Sequence, residues 1–128
     1  MLRGKIHRAT ITQCDVDYVG SITIDADLLR ATDIRPNELV AIYDIDNGAR
    51  FETYVIRGES GSGIIGVNGA AAKLVEPGHK LIIACFGLLT EDQLDDHEAR
   101  IVIVDDQNAI AQRRRYASTL EPDAPALV

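Results

Sequence analysis

Leu39-Val40-Ala41-Ile42-Tyr43-Asp44-Ile45-Asp46-Asn47-Gly48-Ala49-Arg50-Phe51-Glu52-Thr53-Tyr54-Val55-Ile56-Arg57 decides the fold class of this 128-residue chain. Two runs rich in β-branched and aromatic residues flank Asn47-Gly48, the dipeptide that marks a hairpin most strongly because it accepts the positive φ of a tight turn. In the second arm Arg50, Glu52, Tyr54 and Ile56 share one face, and Phe51, Thr53 and Val55 share the other, the period of a half-buried strand. The stretch predicts two antiparallel strands over residues 39–46 and 49–57.

Outward from this hairpin, most of the chain keeps the same period. Residues 6–12 alternate as a half-buried strand, and residues 21–24 form a short one. Asp25 then stands as N-cap to one or two helical turns over residues 26–32, and Pro36-Asn37 closes the loop after them. Residues 64–67 form another strand, and residues 80–89 a long apolar one after the turn Glu76-Pro77-Gly78. Thr90-x-x-Gln93 matches a capping box opening a short acidic helix to about residue 98. Residues 100–105 return as a strand, and the end from Arg113 onward, with Pro122 and Pro125, reads as a flexible tail over residues 113–128. About seven short strands with little helix predict a mainly β fold, a small closed barrel in one domain over residues 1–128, because closure removes exposed edges. So small a barrel has a modest core, which oligomerisation would supplement.

With 46% hydrophobic and 26% charged residues the chain has the balance of a globular protein. Its net charge of −7 argues against a nucleic-acid or anionic-membrane binder. Most of that charge sits in residues 91–106, where seven acids face the single base Arg100. No apolar run approaches the ~18 residues of a membrane span, and the N-terminus lacks the apolar core of a signal peptide. Two cysteines, Cys14 and Cys85, make no secreted-type disulfide framework. A cytoplasmic location is expected.

Taken singly, most motifs read as ordinary structure. Gly61-Ser62-Gly63-Ile64-Ile65-Gly66 spells a dinucleotide fingerprint but runs into a β-branched pair rather than a helix, so it reads as a glycine-rich turn. Asp15/Asp17, Asp25/Asp27 and Asp44/Asp46 lack the ligand spacing of a calcium loop, and His7, His79 and His97 that of a zinc site, so no metal is expected. Cys85 reads as a small buried hydrophobe. Arg113-Arg114-Arg115 is too short a basic patch to overturn the global charge. On spacing alone, Gly20-Ser21 between two strands is a turn.

Read together, four blocks say more: Gly4-Lys5-Ile6-His7-Arg8-Ala9, Tyr18-Val19-Gly20-Ser21, Asn47-Gly48-Ala49-Arg50-Phe51-Glu52-Thr53-Tyr54 and Val67-Asn68-Gly69-Ala70-Ala71-Ala72. In this order and spacing, as far as about Phe86, the chain resembles the pyruvoyl-dependent aspartate 1-decarboxylase family. The resemblance implies a double-psi β-barrel assembled as a homotetramer with active sites between subunits. It also implies a zymogen that cleaves itself between Gly20 and Ser21, giving a small chain 1–20 and a large chain 21–128. Ser21 Oγ would attack the Gly20 carbonyl to form an ester; elimination and hydrolysis would leave a covalent pyruvoyl group in place of Ser21. An amide-to-ester shift is uphill for a relaxed peptide, so strain is expected at Gly20-Ser21. The pyruvoyl cofactor would take the substrate amine as a Schiff base and serve as electron sink for decarboxylation.

The same resemblance assigns the remaining roles. Thr53 would stabilise the oxyanion at Gly20, and Asn68 would orient the cleavage site. Arg50 would clamp a substrate carboxylate, Lys5 would add a second cation, and Gly69, Ala70 and Ala71 would complete the substrate pocket with Thr53. Tyr54 would be the proton donor to the substrate carbon. The implied reaction is L-aspartate to β-alanine and carbon dioxide, feeding pantothenate and coenzyme A synthesis. Strand alternation puts Thr53 and Tyr54 on opposite faces, which a subunit interface or a bulge would reconcile. Asp17 stands where many members have histidine and Ser60 where many have arginine. These departures keep open another amino acid as substrate and an activating maturation factor; a non-catalytic binding barrel is the remaining alternative.

Overall fold

The 39–57 stretch folds as the hairpin its alternation requires, but its turn is built differently. In the computed structural model, which describes residues 1–120, Leu39 pairs with Tyr54 and Tyr43 with Arg50. The connection is longer than a two-residue turn. Buried Asp44 organises it, its Oδ1 accepting the backbone N–H groups of Asp46 and Asn47 at 2.8 and 3.2 Å.

Nine strands are described: β1 (Leu2–Thr10), β2 (Gln13–Asp15), β3 (Ser21–Asp25), β4 (Leu39–Asp44), β5 (Arg50–Gly58), β6 (Ile65–Asn68), β7 (Lys80–Phe86), β8 (Glu98–Val104) and β9 (Ile110–Ala117). One helix, α1 (Ala26–Thr32), and two 3-10 turns, Gly69–Lys73 and Glu91–Gln93, complete the described elements. The fold is mainly β with short helices. Among the described residues no helix is long and apolar enough to cross a membrane.

The strands form a mixed sheet in the order β2-β6-β3-β5-β4-β7-β1-β8-β9. This ladder is linear, with β2 and β9 at its ends, so the strand pairing is not the closed ring expected from the sequence. It is nevertheless rolled. β1 and β2 hold the seventh and first places, yet only Ile11 and Thr12 separate them. Three Cα steps cover at most about 11 Å, whereas six strand spacings in a flat sheet would span about 29 Å. Thr12 fastens the roll: its N–H donates to the Ile65 carbonyl at 2.8 Å, and its hydroxyl accepts from Ile65 N–H at 3.0 Å. Inside lies an aliphatic core, mostly β-branched, with Ile6, Ile22, Ile24, Val40, Ile42, Val55, Ile65, Leu81 and Ile83 all fully buried. Burying each such side chain contributes about 1.5–3 kcal/mol.

Two further expectations need correction. Residues 113–117 are not tail: they belong to β9, which pairs with β8 from Glu98–Ala117 to Val104–Ile110. Residues 118–120 follow β9 without regular structure, and the remainder of the expected tail, residues 121–128, lies outside the described residues. The capping box at Thr90 and Gln93 forms, but the turn it opens ends at Gln93, and Glu98 already begins β8. The glycine-rich loop does present N–H groups to an anion, and that anion is the chain's own. Gly61 and Gly63 donate to the two carboxylate oxygens of buried Asp25 at 3.0 and 2.8 Å. Asp25 also caps α1 by accepting from Asp27 N–H.

Asp44, Asp46 and His79, far apart in sequence, bring their ligand-type atoms within 4.8 Å of one another. Their oxygens are engaged within the chain: Asp44 Oδ2 meets His79 Nδ1 at 2.7 Å, and Asp46 Oδ2 accepts Lys80 N–H at 2.7 Å. The cluster clamps the β4–β5 turn onto the start of β7. The hydrogen bond that His79 donates to Asp44, reinforced by the nearby carboxylates, pushes the His79 imidazolium pKa up. A raised folded pKa means that the clamp's contribution is complete below about pH 6.5 and fades as pH rises through the elevated value. His79→Gln should therefore lower the urea midpoint at pH 5.5–6 and lower it less as the pH increases. A constant difference across that range would remove the charged clamp. Asp44→Ala, which strands two turn N–H groups, should cost about 1–3 kcal/mol even where His79 is neutral, and more at lower pH where the charged clamp is lost as well.

Candidate active site

β3 lies between β6 and β5, antiparallel to the first and parallel to the second. Its first residue, Ser21, is 2% exposed and pairs with Asn68, which is equally buried. Asn68 Nδ2 donates to Ser21 Oγ at 3.3 Å and to Thr23 Oγ1 at 3.1 Å, so the amide holds the hydroxyl from one side. Ser21 has φ 118°, a value an L residue with a β-carbon rarely adopts. Such a conformation costs roughly 1–3 kcal/mol and persists only where its surroundings enforce it.

The enforcement is visible. A β-carbon at Gly69, which has φ +67°, would sit 2.7 Å from Gly20 Cα and 3.2 Å from Gly20 N. Only glycine lets the 3-10 turn approach the Gly20 backbone this closely. Ala70 and Ala71 follow in that turn, Ala70 exposed and Ala71 packed at the core edge. On the other side of Gly20, Tyr18 and Val19 are exposed at 52% and 79%. A strained buried serine thus follows a peptide bond whose N-terminal side is open.

The parallel register aligns Ile22 with Val55, which sets Ser21 level with Tyr54 on the neighbouring strand. Tyr54 is 39% exposed, and its hydroxyl has no hydrogen-bond partner among the described residues. Thr53 is half-buried opposite Val40 and makes no side-chain hydrogen bond to Gly20. The β4–β5 ladder is regular through Thr53 and Tyr54, so no bulge turns both side chains to one face. Arg50, four residues earlier, stacks its guanidinium on the Tyr43 ring at 4.1 Å. This leaves its donor edge to solvent.

Lys5 lies elsewhere. It is on β1, four places from β3 in the sheet, with Nζ 5.5 Å from the centre of the Tyr116 ring. One chain therefore brings together Gly20, Ser21, Asn68, Gly69 and the Thr53–Tyr54 strand, but not Lys5. Near Lys5 the structure also exposes a residue to which the sequence reading gave no role. His7 Nδ1 is buried without a hydrogen-bond partner; burial, then Lys5 and Arg8, push its pKa down. A strand histidine gives no sign of this in sequence, because the bulge at Arg8 (φ 69°) that follows it is not legible there. Ser60 spends its hydroxyl on Arg30 and Asp27, away from Ser21. Neither thiol is activated: burial pushes both Cys14 and Cys85 up.

Comparison with known proteins agrees with this geometry and extends past Phe86. The family model described as aspartate decarboxylase matches residues 1–111. Aspartate 1-decarboxylases of Bacillus cereus (strain B4264), Bacillus thuringiensis (strain Al Hakam) and Bacillus anthracis (strain CDC 684 / NRRL 3495) are each 54% identical to it over 112 residues, 88% of this chain and 88% of each relative. A match spanning the strained serine, its asparagine partner and both neighbouring strands is one of common descent, and the chain belongs to the aspartate decarboxylase family.

Proposed function

We propose that this chain is a pyruvoyl-dependent aspartate 1-decarboxylase that makes its own prosthetic group from Ser21. The observation carrying the proposal is the buried Ser21 at φ 118°, hydrogen-bonded by Asn68 directly after Gly20. In the first step Ser21 Oγ forms a bond to the Gly20 carbonyl carbon and the Gly20–Ser21 amide bond breaks, its nitrogen taking the proton. Backbone strain in the amide offsets part of the uphill cost of the ester. Loss of the Ser21 α-proton then expels the ester oxygen as the Gly20 carboxylate. Tautomerisation and hydrolysis of the resulting dehydroalanine release ammonia.

The residues fit such a group: a buried site at position 21, a side-chain amide beside it and small residues 69–71 around it. When formed, the pyruvoyl ketone supplies an acceptor for a primary amine and a sink for the electron pair left by departing carbon dioxide. Arg50, pre-set by Tyr43, presents a two-pronged donor to a substrate carboxylate. Lys5 adds the second cation suited to a dicarboxylate such as L-aspartate. Tyr54 holds the proton that the new carbon–hydrogen bond of β-alanine needs. Thr53 would hydrogen-bond the oxyanion at Gly20 during cleavage.

Lys5 and Thr53 do not reach Gly20–Ser21 within one chain, and His7 keeps an unsatisfied nitrogen. These features support a homotetramer with sites between subunits. The rolled sheet joined through Thr12 supports the double-psi barrel as its protomer. β-Alanine so produced would enter pantothenate and coenzyme A synthesis. Intact mass after purification tests the reading: a 20-residue piece ending at Gly20 is expected beside a 108-residue piece. The larger piece should be lighter by one ammonia than a chain beginning with serine. A permanently whole, folded chain would overturn the proposal.

A further inference from the structure

Arg113-Arg114-Arg115 looks too short in sequence to form a basic patch, but folding enlarges it. β9 carries these three beside Arg100 of β8, and α1 adds Arg30, so five arginines line a groove of about 350 Å3. Arg100 lies directly opposite Arg115 in the ladder, an arrangement that is unfavourable for like charges unless an anion lies between them. Arg100, Arg113 and Arg115 have no ion-pair partner among the described residues. Arg114 donates to the Arg113 carbonyl and Gln112 Oε1, and Arg30 pairs with Asp27.

The shape narrows the ligand. A groove of this volume suits a small molecule. Asp96 and Glu98 close one end, in the hollow they share with Arg100 and Arg115, and would repel a long polyanion. At the other end the groove opens past Arg30 and Arg113 into a cavity of about 520 Å3, lined by Leu28, Ile110 and Gln107 among others. The Gln107 side-chain amide has no partner among the described residues. Guanidinium forks match phosphoryl oxygens in pairs, and so many of them exceed what a dicarboxylate can neutralise. Ser21 lines neither cavity.

We propose that this arginine-lined groove binds the polyphosphate chain of a nucleoside di- or triphosphate, with the nucleoside in the adjoining cavity. The site is independent of Ser21 and of self-cleavage. Calorimetric titration of the full chain with adenosine triphosphate and with inorganic triphosphate tests it. One saturable event per chain is expected, weakening as salt rises from about 50 to 200 mM. Arg113→Gln with Arg115→Gln should weaken it about tenfold or more, since each charge-assisted pair lost is among the stronger hydrogen bonds. Arg35→Gln with Arg57→Gln, removing equal charge elsewhere, should leave it within about twofold. Arg115→Lys, which keeps the charge but not the fork, should fall between. Tighter binding of the nucleotide than of inorganic triphosphate supports the whole proposal. No saturable binding of either, equal affinity for the two, or an equal loss in the control pair would overturn it.

Discussion

Ser21→Ala is expected to give a chain that stays whole through prolonged warming and shows no decarboxylation above background. The substitution removes only Oγ. Alanine keeps a β-carbon, so the unfavourable φ of 118° and its strain persist. Asn68 still donates to Thr23 Oγ1, so its buried amide keeps a partner and folding should survive. What disappears is the atom that, on the proposed route, would attack Gly20 and later leave with it. Tm should therefore stay near that of the unprocessed parent while cleavage and turnover fall to zero together. A cleaved Ser21→Ala chain would show that the backbone breaks by another route, and the self-made carbonyl would be lost with it.

The parts of this molecule legible in its sequence are those in which partners lie close along the chain. Asp25 capping α1, the Thr90–Gln93 box and the 39–57 hairpin all join residues within a few positions or across one turn. Features joining distant residues left no local mark. Asn108 is buried at φ 62° and accepts from Thr10 N–H while donating to the carbonyls of Thr10 and Gly63. It ties the β8–β9 turn to both the end of β1 and the glycine-rich loop. β9 was hidden for a similar reason: three arginines in a strand look like a solvated tail until β8 pairs with them. Asp44 was read as one member of an acidic pair, whereas its role depends on His79 thirty-five residues away.

The candidate site divides in the same way. Nothing in the spacing of Gly20-Ser21 separates a cleavage site from a turn, and the family resemblance alone singled it out. The strain expected there depends on Gly69 reaching the Gly20 backbone from another strand's end. Thr53 and Tyr54 posed a conflict that strand alternation states correctly. The regular β4–β5 ladder removes the bulge as an answer.

Tyr54→Phe should cleave at the normal rate yet decarboxylate about 10²–10⁴-fold more slowly, the usual loss for a positioned general acid. The change is confined to the hydroxyl. The ring can keep its place opposite Leu39, and the hydroxyl has no hydrogen-bond partner among the described residues whose loss would disturb the fold. On the proposed route cleavage would use Ser21 Oγ, Asn68, Thr53 and the strain at position 21, and no hydrogen bond joins Ser21 or Asn68 to the phenol. The parallel register, however, sets Tyr54 level with the position where the new carbonyl would form. A proton source there is needed only after carbon dioxide has left, so kcat should fall with little change in KM. This split separates a proton donor from a binding residue: Arg50→Lys should chiefly raise KM, because lysine keeps the charge but loses the fork. Normal turnover by Tyr54→Phe would remove the phenol from the reaction and shift the search to other donors, His7 with its unsatisfied nitrogen first among them.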